Sequence, residues 1–153
     1  MTTVYNGADY LPDLIESVLA QDYPHYEHIV VEGGSTDDGA TVAVLERYPH
    51  LRWWVMAGST AYEAQKAGMA AASGDFICLV NADDRLVTPD ALSSVVAYWR
   101  QNPDCDLIYG WTQRMDAEGN IFPTTDFRAP PSLWLMRHIA YVQHCALYVS
   151  RRL

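Results

Sequence analysis

Apolar positions along this chain switch between two rhythms. Leu11, Leu14, Ile15, Val18 and Leu19 recur at helical spacing and predict a helix with one apolar face. Pro12 falls in its first turn, where a missing N–H costs nothing, and Pro24 lies beyond its far end. The run "HIVV", ending at Val31, suits a buried strand. Thr41, Val44, Leu45 and Tyr48 form a second helical stripe, closed by Pro49, and "LRWWVMAG" reads as a strand ending in Gly58. Ala61 to Ala72 is alanine-rich and helical, stopped by Ser73-Gly74, and "DFICLV" is the next strand. Thr88-Pro89-Asp90 predicts a helix start, with an N-cap hydroxyl, a first-position proline and an acid in the first turn. Leu92, Val95, Val96 and Trp99 would form that helix's buried face.

Alternating helices and strands predict an α/β fold, a mostly parallel central sheet covered by helices on both faces. From Asp106 the pattern changes: "LIYGWTQRM", the turn "DAEGN" and "IFPTT" predict a hairpin in the C-terminal third. Proline-broken sequence through Pro130-Pro131 leads to His144. The expectation is one domain over residues 1–153, with residues 1–100 as one half and 101–153 as the start of a second. The opening "MTTVYNG" reads as a strand end and turn, and the closing "ALYVSRRL" carries no cap, so a longer parent chain is expected.

Composition narrows the partners. A chain of 153 residues, half of them hydrophobic, builds one real core. Its formal net charge of −9 argues against nucleic acid, where Lys and Arg dominate binding, and against docking through a basic patch on an anionic membrane. Cys78, Cys105 and Cys145 are too widely spaced for a zinc pattern and are odd in number, which fits buried thiols in a reducing compartment. No signal peptide opens the chain, and no run approaches the roughly 18 apolar residues of a membrane span. A cytoplasmic location is expected, open to a peripheral position at the inner face of a membrane.

Two strands end in acids. "IVVEGGSTDDG" stops a β-branched run at Glu32, then bends through Gly33-Gly34 into Ser35-Thr36-Asp37, a capping cluster. "FICLVNADD" ends in Asn81-Ala82-Asp83-Asp84. In open α/β sheets ligands sit beyond the carboxyl ends of the strands. Residues 3–7, 32–36, 57–60 and 81–84 would therefore line one crevice. An Asn-x-Asp pair supplies hard oxygen ligands with one charge, enough to hold Mg²⁺ when a diphosphate adds its own oxygens. Glu32 at a strand tip could accept from a base imide or a ribose hydroxyl, and Ser35, Thr36 or Asp37 would cap the following helix. His144, amid apolar residues, reads as a satisfied core histidine. Glu63 and Lys66 share a helix face with Tyr62 and are expected to pair. Trp53, Trp54 and Trp111 read as core or groove lining.

These stretches resemble the family 2 glycosyltransferases. "VYNGADYLPDLIESVLAQDYPHYEHIVVEGGSTDDG" is similar to their nucleotide-binding half, "AAASGDFICLVNADDRLVTPDAL" to the segment with their Asp-x-Asp metal motif, and "YVQHCALYVSRRL" to the stretch after the acceptor-side loop. The resemblance implies a GT-A fold and inverting transfer of a sugar from a nucleotide-diphospho-sugar, by default a UDP-sugar, to a saccharide or lipid-linked acceptor in polysaccharide assembly. It implies that Thr3 and Glu32 flank the base, with Tyr5, Gly34, Ser35, Lys66, Asn81, Ala82, Asp83 and His144 also around the nucleotide-sugar. Asp83, with Asn81 beside it and Asp84 in support, would hold Mn²⁺ or Mg²⁺. Departures from the family pattern fall at Glu32 and Gly33, where many members have Asp, at Asn81, near Gly58 and at Lys66. The resembling enzymes carry their catalytic base as a carboxylate past the His-containing block, so it is expected beyond Leu153; neither Asp116 nor Asp126 has spacing that supports that role. Two rivals remain: a nucleotide-sugar-binding module without the base, and a sugar nucleotidyltransferase, whose glycine- and basic-rich N-terminal signature is missing.

Overall fold

The computed structural model describes residues 1–116, 119–122 and 143–153. Strands β1 (Thr2–Val4), β2 (Ile29–Glu32) and β3 (Arg52–Val55) form a parallel sheet in the order β1-β2-β3, with Val4 level with Glu32 and Glu32 with Val55. Central β2 is buried along its whole length, which explains its unbroken apolar run, whereas edge strand β3 is half-buried only at Trp53 and Trp54 and exposed at both ends.

Helices α1 (Leu11–Leu19) and α2 (Ala40–Glu46) cover one face of this sheet. Leu11, Leu14 and Ile15 are fully buried and pack with Val4, Val18, Val30, Val44, Leu45, Leu51 and Val80 into the main core. Each such side chain contributes about 1.5–3 kcal/mol of transfer free energy. Ile29 and Val31, which alternate with Val30, point to the other face, where α3 (Ala61–Ala71) packs on β1 and β2 through Ala64 and Gly68, one helical turn apart. The small side chains let this helix lie close to the strands.

Strand β4 (Phe76–Cys78) continues the fold beside β1: the Met1 N donates to the Cys78 carbonyl at 2.9 Å and the Val80 N to the Met1 carbonyl at 3.0 Å. From here the direction of pairing changes. β6 (Leu147–Ser150) runs antiparallel between β4 and β5 (Leu107–Tyr109), giving a second sheet in the order β4-β6-β5. The expected hairpin is present as antiparallel pairing of the described residues on its two sides, with a bridge between Met115 and Ile121 and with Phe122 N donating to the Arg114 carbonyl. Its continuation beyond Phe122, Asp126 and Pro130-Pro131 lie outside the described residues.

Helix α4 (Ala91–Gln101) departs from expectation twice. It begins at Ala91, with Asp90 at the N-cap and no side-chain cap bond from its own chain segment. Gln21, just past α1, takes over: its Oε1 accepts from Leu92 N at 3.0 Å and its Nε2 donates to the Thr88 carbonyl at 2.8 Å. The second departure is burial. Leu92, Val95, Val96 and Trp99 face inward but are only half-buried, because the helix stands off β4 over a mainly apolar cavity of about 190 Å³. The three cysteines are also half-buried rather than buried, and none is in a disulfide.

Candidate functional site

The loops that follow β1, β2 and β3 are tied together by hydrogen bonds, so their positions depend on one another. Asn6, after β1, adopts a left-handed conformation (φ 50°). Its backbone N donates to Ser35 Oγ at 2.8 Å, and its Oδ1 accepts from Thr36 N at 2.8 Å. Tyr5, exposed, reaches Thr36 Oγ1 with its hydroxyl at 3.3 Å, and Gly7 N donates to Thr41 Oγ1 at 3.0 Å. Asp37 caps α2 from outside: its Oδ2 accepts from Thr41 N at 3.0 Å and from Thr41 Oγ1 at 2.6 Å. Of the three capping candidates in the cluster, Asp37 is the one that bonds to the helix.

Glu32 organises the second loop. It is only 1% exposed, and its carboxylate turns back into the bend, accepting from Gly34 N at 2.9 Å, from Ser35 N at 2.7 Å and from Ser35 Oγ. Gly34 is required by this arrangement. Its φ is +84°, and a Cβ there would come within 2.7 Å of the Ala57 Cα in the loop after β3. The second and third loops are thus in contact.

The fourth tip follows β4. Ala82 packs against the core, and a Cβ on Gly7 would lie 3.6 Å from the Ala82 Cβ, which puts this tip beside the first. Asp84 N donates to the Asn81 carbonyl, closing an Asn-Ala-Asp-Asp turn with Asp83 exposed at its apex. His144 does not sit in the core. It is exposed in the 3-10 turn His144–Ala146 that leads into β6, and its Nε2 lies 3.1 Å from Asn81 Oδ1. The apolar run around it belongs to β6, while the turn before that strand projects the ring towards the acids. Cys145, next in sequence, is near the same acids: burial first, then the Asp84 carboxylate, pushes its thiol up to about 11.

Thr3 is half-buried in β1, level with Val31, and Lys66 is exposed in the second turn of α3. No hydrogen bond or ion pair ties Lys66 to the strand tips among the described residues. The expected Glu63–Lys66 pair is replaced by a capping box, in which Glu63 Oε2 accepts from Thr60 N and Thr60 Oγ1 while Glu63 N donates back to the threonine hydroxyl. Asn6, placed on the crevice by sequence only as part of residues 3–7 and given no role of its own, proves to be the residue that ties the first loop to the second. Asn-Gly dipeptides mark turns, and an asparagine in that setting tolerates the left-handed conformation seen here.

The tip residues suit an oxygen-preferring divalent cation better than one that prefers nitrogen or sulfur ligands. Among the described residues, no group of three or more His, Cys, Asp and Glu side chains is placed to hold a metal by itself. The turn offers the exposed Asp83, the Asn81 amide and Asp84, whose buried Oδ2 has no hydrogen-bond partner among the described residues. A buried carboxylate oxygen left without a partner is costly, and a bound cation would satisfy it. An all-oxygen, incomplete set matches Mg²⁺ or Mn²⁺ carried in with a diphosphate.

Comparison with known proteins gives the family and the fold. Residues 1–150 match the family model described as Glycosyl transferase family 2. An uncharacterised glycosyltransferase of Rickettsia conorii is 32% identical over 119 residues, covering 76% of this chain and 20% of that one. A PGL/p-HBAD biosynthesis glycosyltransferase of Mycobacterium bovis is 30% identical over 109 residues, 69% of this chain and 42% of its own length. The chain thus spans less than half of these relatives. Among solved structures, S. aureus TarS 1–349 superposes with a TM-score of 0.72 at 23% identity, covering 97% of this chain and 45% of that one. Its complex with UDP-GlcNAc scores 0.68 at 24% identity, over 84% of this chain and 37% of the other. A mannosyltransferase of Pyrobaculum calidifontis, solved with GDP-Man and Mn²⁺, scores 0.58 at 23% identity over 69% of this chain and 32% of that one. With the GT-A architecture shared with these structures and a family match running from β1 through the His144 turn, the chain belongs to glycosyl transferase family 2.

Proposed function

We propose that this chain forms the donor-binding part of an inverting glycosyltransferase of polysaccharide assembly. It takes a nucleotide-diphospho-sugar, with uridine as the base, and passes the sugar to a saccharide or lipid-linked acceptor. The observation that carries this reading is the gathering of the strand tips. Loops 5–7, 33–36 and 57–60 are held in mutual contact, and the Asn81–Asp84 turn stands beside the first. Base and ribose rest against Thr3, Tyr5 and the Glu32-braced bend at Gly34 and Ser35. Glu32 acts there mainly by holding the bend, since its carboxylate already accepts from three groups of the loop. The diphosphate extends towards Ala82 and Asp83, with His144 on the same side and Lys66 on α3 able to swing towards it.

Asp83 and Asp84 supply the negative charge that holds Mg²⁺ or Mn²⁺, and a bound cation would stabilise the departing diphosphate as a Lewis acid. Inverting transfer also requires a base at the acceptor hydroxyl, a role given to none of the described residues. No described helix is long and apolar enough to cross a membrane, so a lipid-linked acceptor would be met at a membrane surface.

Calorimetric titration of UDP into the purified chain, with Mn²⁺ and then with EDTA, tests the reading. Binding that strengthens at least tenfold with Mn²⁺, and loses that gain in Asp83→Ala, is the expected result. If UDP, GDP and TDP all fail to bind under both conditions, the donor-site assignment is wrong.

A further inference from the structure

Asn81 and His144 are 63 positions apart in sequence, yet they meet at 3.1 Å beside the acid turn, on the solvent side. The atom of Asn81 that faces the ring is Oδ1. A side-chain amide has one acceptor end and one donor end, so committing the oxygen decides what the other end presents. With a proton on His144 Nε2, the oxygen accepts it and the two Nδ2 hydrogens are left free of the histidine for another acceptor. The imidazole N–H also places a positive end next to Oδ1, where an approaching cation would be repelled.

Building on the donor-site reading above, we infer that Asn81 is not a cation ligand but a neutral hydrogen-bond donor to the diphosphate oxygens, and that His144 is the positioning residue that sets the amide in that orientation. The division of labour is chemical. Asp83 and Asp84 are acceptors only, so they reach phosphate oxygens through a cation. Asn81, turned by His144, reaches them directly. A carboxylate at position 81 could not do this, because it carries no donor and would repel the phosphate. Asparagine there makes part of the diphosphate affinity independent of metal.

The test separates the two routes. UDP and inorganic pyrophosphate are titrated calorimetrically into the wild type, Asn81→Ala, Asn81→Asp, His144→Ala, His144→Gln and Asp83→Ala, in EDTA and in Mn²⁺. Mn²⁺ binding without nucleotide is followed separately by electron paramagnetic resonance. The inference expects measurable wild-type binding of UDP and pyrophosphate in EDTA. That binding falls roughly five- to tenfold, the worth of about one hydrogen bond to a charged group, in both Asn81 variants. It falls less in His144→Ala and is largely restored in His144→Gln, whose amide N–H can replace the imidazole donor. Mn²⁺ binding stays at the wild-type level in Asn81→Ala, and Asp83→Ala shows the reverse pattern. Thermal melts show whether each variant is folded, which the exposed position of His144 favours.

Loss of Mn²⁺ binding in Asn81→Ala with unchanged binding in EDTA would make Asn81 a cation ligand and overturn the inference. So would UDP binding that needs Mn²⁺ entirely, although the donor-site reading would then survive. Absence of UDP binding under both conditions overturns both.

Discussion

Glu32 illustrates what a single residue contributes here. Its position at a strand tip suggested a direct ligand contact; its geometry makes it the brace of the bend. Glu32→Ala would leave Gly34 N, Ser35 N and Ser35 Oγ without their acceptor in a half-buried loop. The expected loss is about 2–4 kcal/mol in urea unfolding, and a loss below about 0.5 kcal/mol would contradict the bracing role. Gly34→Ala tests the same loop from its backbone. A positive φ and a Cβ 2.7 Å from Ala57 Cα predict a cost of about 1–3 kcal/mol, read as a lowered melting temperature, together with weaker UDP binding. Sequence made the acid and the glycines conspicuous. It could not show which way the carboxylate turns, because a strand-tip side chain can face solvent or fold back over its own loop.

Among the elements, α3 is held by local chemistry and α4 by a distant residue. The Thr60 hydroxyl and Glu63 carboxylate close a capping box at the start of α3, immediately after the third loop of the site. Thr60→Ala should cost about 1 kcal/mol, measured by chemical denaturation at neutral pH. The cap is also pH-dependent. Hydrogen bonds from the Thr60 backbone and hydroxyl hold the Glu63 carboxyl below its ordinary value of 4.5. A lowered carboxyl adds stability above the ordinary value and loses it as pH falls through the lowered one, so the gap between wild type and Thr60→Ala should narrow in strong acid, while the Glu63 N–H bond to the Thr60 hydroxyl keeps it from closing. A gap that stays the same from neutral pH into strong acid would mean that the hydroxyl's bond to the carboxylate contributes nothing. For α4, Thr88-Pro89-Asp90 carries every local start signal, yet Gln21 satisfies the first turn from the end of α1. Local propensity located the helix to within a turn, and a tertiary contact chose its first residue.

At the scale of the whole molecule, His28, just before the central strand β2, is expected to set how stability varies with pH. It is 5% exposed, with Nε2 3.4 Å from Thr2 Oγ1 and Nδ1 without a partner among the described residues. Burial, followed by neighbouring positive charge, lowers its pKa to about 3. The unfolded chain takes up this proton near 6.5, whereas the folded chain refuses it until about 3. Folded stability is therefore complete above the ordinary histidine value and declines as pH falls between the two. The full effect is roughly 3–5 kcal/mol. Urea midpoints recorded from neutral pH into that window should fall steadily in the wild type and flatten in His28→Gln; parallel slopes would remove His28 as the cause.

Periodicity and punctuation in the sequence determined the helices, the parallel opening strands, the acid-tipped strand ends and, through the quoted blocks, the family. These features depend on neighbours along the chain, whose spacing sets which side chains share a face. Tertiary structure alone decided the rest. It turned Glu32 into its own loop, left α4 half-buried over a cavity, ran β6 antiparallel between β4 and β5, and brought His144 out of an apolar run to Asn81. Each of these outcomes joins groups that compete for partners across the fold, and a one-dimensional pattern records which groups exist but not which of them meet.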